Sequence, residues 1–133
     1  MSNNKQSSLD KEFVLYQEAL ALKELGFDEP CFGYWYTEQE DCKKVDVQIS
    51  TVDFLGDEPD YILAPTFSQA FRWFREKYGR LGCIQKSSDR SSFIYFVNDN
   101  IFGYYDTYEE AELACLRRLI EIVQGGNKWQ IMK

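Results

Sequence analysis

The chain has 133 residues, of which 17% are aromatic and 28% charged, and its formal net charge is −7. A chain of this length and aromatic content can bury a core, so we expect it to fold as one domain. The negative charge argues against non-specific binding to nucleic acid, which requires clustered Lys and Arg. No apolar run reaches the roughly 20 residues of a membrane span, and residues 1–8 lack the apolar core of a signal peptide. These features predict a cytoplasmic protein that binds neither membranes nor nucleic acid.

Histidine is absent from the chain. Without an imidazole there is no Ser-His-Asp triad, no Cys-His dyad and no metal site with a histidine ligand. General acid–base chemistry would depend on carboxylates, Lys, Tyr or Cys with shifted pKa values. The sequence therefore favours a protein that is not an enzyme and needs no cofactor.

The four cysteines, Cys31, Cys42, Cys83 and Cys115, are widely spaced and form no C-x-x-C pair. Such cysteines are usually reduced in a cytosolic protein. Cys31, Cys83 and Cys115 lie in apolar stretches, where a free thiol packs as a small hydrophobic group. We predict reduced structural thiols and no bound metal. The alternatives are a disulfide framework, or a zinc site built from thiolates and carboxylates alone.

The first half of the chain predicts one helix followed by two or three strands. Residues 1–8 are polar, and we expect them to form a disordered tail. Apolar residues at helical spacing run over residues 9–25, with Ser7 and Asp10 as a capping box and Gly26 as the stop. This helix is apolar on most sides, so it is either deeply buried or covered by a partner. The strand-like segments that follow are residues 31–37, 44–52 and 61–63.

The stretch over residues 66–97 is predicted to supply the centre of the fold. Its helical part carries one aromatic stripe, formed by Phe67, Phe71, Phe74 and Tyr78. Thr66 and Gln69 predict a capping box at the start of this helix, and Gly79 predicts its end. We expect the stripe to pack on an antiparallel sheet.

The second half predicts three strands and a last helix. The strands are residues 81–86, 92–97 and 101–105, and short polar turns join them. Thr107 and Glu110 predict a second capping box, and Gly125-Gly126 a helix stop. The whole pattern predicts a single α+β domain over residues 9–124, with three helices on a largely antiparallel sheet of five or six strands. A tail at residues 125–133 is expected to dock on the domain or on a partner.

The two predicted capping boxes belong to similar pentapeptides. Residues 66–70 and 107–111 share the form Thr-aromatic-x-Gln/Glu-Ala. A duplication would produce this echo, but capping chemistry alone also produces it. The sequence leaves both origins open.

Three stretches carry a resemblance to known sequences. They are residues 24–31 (ELGFDEPC), 64–79 (APTFSQAFRWFREKYG) and 105–116 (YDTYEEAELACL). These stretches resemble small uncharacterised proteins that are common in Bacteroidetes genomes and their phages. The resemblance covers most of the chain in pieces and brings no activity or site residue with it. It implies a cytoplasmic protein encoded by a bacterium, a phage or a mobile element.

The strongest local feature is a basic stretch at residues 72–90, which holds six basic and two acidic residues. The candidate ligand- or partner-binding residues are Arg72, Trp73, Arg75, Arg80, Lys86 and Arg90. Beside an aromatic hairpin, such a face suits a phosphate, a nucleotide or an acidic protein. The alternative is a solvated helix face whose basic residues pair with the chain's own acidic loop at residues 53–60. Trp73 lies off the aromatic stripe, so it is either at the edge of the core or a contact residue.

Clusters of acidic residues do not add a catalytic or metal site. Asp57, Glu58 and Asp60 match no EF-hand spacing. The carboxylates at residues 109–112 are explained by the dipole of the helix that begins there. We therefore predict no catalytic residue and no metal ligand.

Self-association is the remaining expectation. Phe93, Tyr95 and Val97 occupy one face of a predicted strand, and Ile94 and Phe96 the other. Two apolar faces, an apolar first helix and an apolar tail are more than one small domain covers easily, so a homodimer and a monomer both stay open. We expect a small accessory protein that acts through protein–protein contacts. The alternative is a protein that binds a phosphate- or nucleotide-like anion, or a carboxylate-based enzyme, using the basic helix at residues 66–79.

Overall fold

The computed structural model describes residues 11–36, 45–52 and 61–125. These residues form three helices and six strands, which confirms the α+β class. The helices are α1 (Tyr16–Glu24), α2 (Phe67–Tyr78) and α3 (Tyr108–Gln124). The strands are β1 (Cys31–Tyr36), β2 (Val45–Val52), β3 (Tyr61–Ala64), β4 (Gly82–Lys86), β5 (Phe93–Val97) and β6 (Asn100–Tyr105). The predicted tail at residues 1–8, the acidic loop, Cys42 and residues 126–133 lie outside the described residues.

The strands pair in two antiparallel sheets of three strands each. Their orders are β2-β1-β3 and β4-β5-β6. The sequence predicts one sheet of five or six strands, whereas the structure divides six strands between two sheets. The division falls at α2, because β3 closes the first sheet against β1 and the chain then enters a helix before β4 begins.

The contacts of the chain define two compact units, Met1–Gln69 and Ala70–Lys133, so the boundary falls within α2. We call them the N-terminal unit and the C-terminal unit. The first holds α1 and the sheet β2-β1-β3, and the second holds the sheet β4-β5-β6 and α3. The prediction of a single domain over residues 9–124 stays a prediction.

In the N-terminal unit, α1 begins at Tyr16, whereas the sequence predicts a helix from residue 9. The prediction is wrong for residues 11–15, which the structure describes and which are not helical. Phe13 forms an antiparallel bridge with Thr66, and the Val14 amide donates to the Pro65 carbonyl at 3.0 Å. Phe13 and Val14 therefore pack as part of an extended segment and not as part of a helix. Their partners lie some fifty positions away in sequence, and the spacing of apolar residues within one segment does not indicate such a distant partner.

The end of α1 is as predicted. Gly26 has φ +101°, and its amide donates to the Lys23 carbonyl at 3.0 Å. The Phe27 amide donates to the Leu22 carbonyl at 2.9 Å. This is a Schellman termination, in which a residue with positive φ closes the last turn.

Strand β1 lies at the centre of the N-terminal sheet and is packed closely on one side. The Trp35 indole is 4% exposed, and its Nε1 donates to the Val14 carbonyl at 2.9 Å. At Gly33, a Cβ atom would lie 2.8 Å from the Phe13 ring and 3.0 Å from the Ala64 carbonyl oxygen. Only glycine allows that approach.

In the C-terminal unit, α3 packs on one face of the meander β4-β5-β6. A Cβ atom at Gly82 would lie 2.9 Å from the Cys115 Sγ, so the helix touches the strand backbone there. Gly82 pairs with Val97, which is buried on this face, and Leu119 of α3 is fully buried. The predicted capping box of α3 is confirmed by its two hydrogen bonds between residues 107 and 110, at 3.1 and 3.3 Å.

The opposite face of this sheet carries Cys83, Phe96 and Ile101, which lie side by side across the three strands. Cys83 is exposed, and Ile101 is 59% exposed. Of the three cysteines predicted to act as small hydrophobic groups, Cys31 and Cys115 are therefore buried and Cys83 is not. It points away from α3 because it alternates along β4 with Gly82, which faces the helix.

The buried face of α2 is shifted around the helix from the face that the predicted aromatic stripe would bury. Ala70 and Phe74 are fully buried and Trp73 is 5% exposed, whereas Phe71 is only half-buried. The Thr66 side chain caps the helix, accepting from the Gln69 amide at 3.1 Å. Gly79, at φ +67°, ends it as predicted.

Candidate functional site

The structure distributes the predicted basic residues over several elements of the C-terminal unit. Arg72 and Arg75 are exposed on α2. Trp73 packs inwards, with edge-to-face contacts to Phe74 and Tyr78 at centroid distances of 5.2 and 5.5 Å. Its burial favours a role in the core over a role as a contact residue.

The other predicted residues lie beyond α2. Arg80 is half-buried just after the helix. Lys86 ends β4, where its Nζ lies 4.7 Å from the centre of the Phe93 ring and donates to the Arg90 carbonyl at 3.4 Å. Arg90, at φ +64°, belongs to the β4–β5 turn. A binding role for this set stays a prediction.

A concave surface lies between β6 and α3, where an open groove of about 600 Å³ crosses the surface of the C-terminal unit. We call it the β6–α3 groove. Its lining residues are Tyr95, Tyr104, Tyr105, Asp106, Glu110, Leu113, Ala114, Arg117, Arg118 and Glu121. None of the six predicted residues is among them.

The groove forms because α3 does not cover the sheet evenly. Only Asp106 and Thr107 join β6 to α3, so the chain reverses sharply and the helix returns beside the strand. Further along, α3 packs mainly against β4 and β5. The side of β6 that faces the helix is therefore left partly open.

Aromatic rings form the floor of the groove. The Tyr95 ring stacks on Phe102 at 5.1 Å and on Tyr105 at 6.1 Å, with interplanar angles of 20° and 27°. Gly103, at φ +58°, lies where the β5–β6 register shifts. Beyond this irregularity Tyr104 is 75% exposed at the rim.

Arg118 of α3 contacts the aromatic rings of the floor. Its guanidinium carbon lies 4.7 Å from the centre of the Phe102 ring, and its Nε donates to the Tyr95 hydroxyl oxygen at 3.4 Å. Its Nη1 also forms an ion pair with Glu121 at 2.9 Å. The guanidinium is thus held in one orientation by a ring, a hydroxyl and a carboxylate.

These contacts shift two pKa values. Burial raises the pKa of the Tyr95 hydroxyl, and the bond from Arg118 opposes that shift only in part. The hydrogen bond with Tyr95 is the main cause that raises the pKa of Arg118. Tyr95 therefore stays protonated at neutral pH, and because its oxygen accepts from Arg118, its hydroxyl hydrogen can donate to a bound group.

The charged rim is mixed. It combines three carboxylates with two guanidinium groups. The Glu110 carboxylate accepts from the Thr107 amide in the capping box, and Glu121 is paired with Arg118. Carboxylates that are held in this way can orient a ligand, but the arrangement contains no pair of groups set up for proton transfer.

Sequence analysis did not select any lining residue as a site residue, although two features of the sequence mark some of them. Tyr104-Tyr105 places adjacent aromatic residues at a strand end, and Arg117-Arg118 places two cations side by side in an acidic chain. Neither feature fixes a site without the angle between the helix and the sheet.

Two further properties are known for the described residues only. Among them, no three His, Cys, Asp or Glu side chains gather as metal ligands. No helix in this part of the chain has the length and apolar character needed to cross a membrane.

The fold and the groove together define a small α+β protein with an aromatic surface groove of mixed charge. Comparisons with protein families, with curated proteins and with solved structures found no match to the chain.

Proposed function

We propose that this chain is a protein-binding module that takes an extended segment of a partner protein in the β6–α3 groove. The observation that carries the proposal is the position of the groove beside β6. In the described part of the chain, β6 pairs only with β5, so it is an edge strand of its sheet.

An edge strand presents backbone N–H and C=O groups that a further strand can satisfy. A peptide that adds to β6 would gain main-chain hydrogen bonds along the strand, and alternate side chains would enter the groove. Tyr104, which lines the groove and is 75% exposed, would be covered in the complex.

The side chains of the groove suit this occupant. Tyrosine combines a large apolar ring with a polar hydroxyl and has few rotatable bonds, so it contributes contact area at a small entropic cost. Arg118 is already fixed by Tyr95 and Glu121, which reduces the entropy that binding would remove.

At this groove, binding of a protein segment is better supported than anion binding, and the alternative that uses the basic helix at residues 66–79 stays a prediction. A dedicated anion site would have a clear excess of positive charge, whereas this groove has more carboxylates than guanidinium groups. We also propose a cytoplasmic location, and we retain self-association as a use of the same module.

The proposal is tested by selecting peptides from a displayed random library on the purified protein and measuring their affinity by fluorescence anisotropy. Ala114→Arg places a long charged side chain in the groove, and we expect it to weaken binding at least about tenfold, equivalent to about 1.4 kcal/mol. Gln124→Arg is the matched control, because it introduces the same side chain on an exposed position of α3 outside the lining.

Selected peptides that bind both variants as tightly as the unaltered protein would contradict the groove as the site. A library that yields no peptide with measurable affinity would contradict the proposed function.

A further inference from the structure

We infer that residues 127–133 of the chain itself bind in the β6–α3 groove, within the same molecule, and compete there with the partner segment. This inference rests on the proposed function and gives it a regulatory element. Residues 127–133 read NKWQIMK and lie outside the described residues.

The segment is long enough to reach the groove and follow it. Helix α3 ends at Gln124, and the last lining residue on it, Glu121, lies about 6 Å from Gly125 along the axis at ~1.5 Å per residue. From Glu110 to Glu121 the groove follows the helix for about 16 Å by the same rise. Seven extended residues span about 23 Å at ~3.3 Å each, which is enough to turn back at Gly125-Gly126 and follow the groove.

The segment also has part of the polar–apolar alternation of a strand. Over residues 128–131, Trp129 and Ile131 alternate with polar Lys128 and Gln130, as in a strand that places apolar side chains on one side, and apolar Met132 then ends the alternation. A strand added to β6 needs that alternation, because every second side chain enters the groove. The exposed ring of Tyr104, at the rim of the groove, offers aromatic surface for Trp129.

The charges of the segment and of the groove are complementary. The segment carries Lys128 and Lys133 and no acidic residue. The groove carries the carboxylates of Asp106, Glu110 and Glu121. Opposite charges on the two surfaces favour this occupant over an acidic peptide.

Covalent linkage gives the segment a high effective concentration at the groove. A segment joined to the groove by two glycines experiences a local concentration on the order of millimolar. Copies of the protein at micromolar concentration compete poorly with it, so the segment of the same molecule is the favoured occupant. A partner must then bind more tightly than this segment or wait for it to leave.

The chain provides its own probe for the test. It has three tryptophans, and Trp35 and Trp73 are buried. The difference in acrylamide quenching between the unaltered protein and Trp129→Phe therefore reports the environment of Trp129. We expect Trp129 to be quenched several-fold less efficiently than in a free peptide of residues 127–133.

Ala114→Arg should restore quenching of Trp129 to the level of the peptide, and Gln124→Arg should leave the protection intact. The protection should also be constant over a hundredfold range of protein concentration. Trp129 quenched as in the peptide would overturn the inference, as would protection that survives Ala114→Arg. Protection that grows with concentration would also overturn it, by assigning the groove to the segment of a second copy.

A second measurement separates this inference from the proposed function. Trp129→Ser combined with Ile131→Ser, in the full chain, should raise the affinity of library-selected peptides several-fold because the competitor is weakened. If the double variant binds the peptides no more tightly than the unaltered protein does, the inference is overturned. If Ala114→Arg abolishes peptide binding in the same experiment, the proposed function still stands. A protected Trp129 in a protein for which no peptide can be selected would support the docking and contradict the proposed function.

Discussion

The two units build a three-stranded antiparallel sheet in different ways. In the N-terminal unit, the first strand in sequence, β1, takes the central position between β2 and β3, and Phe13 packs directly on it at Gly33. In the C-terminal unit, the strands follow one another in a meander and a long helix packs on one face at Gly82.

This difference decides where a binding site can form. A strand segment that lies on β1 fills the surface locally and adds hydrogen bonds to its neighbours, as Val14 does with Pro65. A straight helix on a twisted sheet stays close to some strands and diverges from others. In the C-terminal unit it diverges from β6, and the groove with its tyrosine floor is the result.

The largest effects are expected in the two cores. Leu22 in α1 and Leu119 in α3 are fully buried, so changing either to Ala should lower the free energy of unfolding by about 2–5 kcal/mol. Leu113 lies half-buried on the groove side of α3, so Leu113→Ala should cost less than about half as much as Leu119→Ala. Urea denaturation checks all three. An equal loss at Leu113 and Leu119 would mean that the groove side of the helix is as closely packed as the core side.

The two strand glycines give the next largest effect. Gly33→Ala and Gly82→Ala should each lower the free energy of unfolding by about 1–3 kcal/mol, because the added methyl group meets atoms closer than 3.0 Å. The loss should be larger at Gly33, where one neighbour is the Ala64 carbonyl oxygen of the backbone. At Gly82 the neighbours are the side chains of Cys115 and Leu119. A larger loss at Gly82 would contradict the closer packing of β1.

Thiol reactivity compares the same two units. Burial, with a smaller effect from Glu29, raises the pKa of Cys31 from 9.0 to about 12, and burial also raises that of Cys115 to about 12. At pH 8 a disulfide reagent should therefore modify Cys83 in the native protein, and Cys31 and Cys115 only after unfolding. Cys42→Ser removes the remaining thiol from the assay. Rapid native modification of Cys115 would contradict close packing of α3 on β4.

The same raised pKa values fix the sign of a pH effect. The unfolded thiols ionise near their ordinary pKa of 9.0, whereas the folded thiols stay neutral until about 12. The stability contributed by these neutral thiols is fully present below pH 9.0 and is lost as the pH rises through this range.

The smallest effect belongs to the exposed turn between β4 and β5. Asp89 accepts from the Ser91 amide at 3.0 Å and from the Ser87 and Ser91 hydroxyls at 2.7 Å, and these bonds lower its pKa from 3.8 to about 2. Their contribution to stability is present above pH 3.8 and is lost as the pH falls through about 2. An NMR titration should find this low pKa, Ser87→Ala should raise it, and Ser88→Ala should not. An Asp89 pKa near 3.8 would show that the turn does not hold the carboxylate.

The sequence predicted what depends on neighbouring residues. The strands of the meander, the capping box at Thr107 and the stops at Gly26 and Gly79 were all predicted, because each depends on residues only a few positions apart. The start of α1 was not, because Phe13 pairs with Thr66 across more than fifty residues. Long-range pairing leaves no periodic signal in either segment.

The candidate site could be predicted only in part for the same reason. The sequence contains Tyr95 and Arg118 but does not indicate that they are in contact, because their contact depends on the angle at which α3 crosses the sheet. The basic residues of α2 are conspicuous by their charge, whereas the groove combines opposite charges that cancel in any count along the chain. The split into two sheets was missed because strand segments do not specify which strands share hydrogen bonds.

The most direct test of the binding site is amide hydrogen exchange with and without a library-selected peptide. Strands β4 and β6 are the two edges of the same sheet, so each serves as the control for the other. The account predicts slower exchange in β6 and along the groove side of α3 when the peptide binds, with β4 unchanged. Slower exchange in β4, or in the N-terminal unit with β6 unchanged, would contradict it.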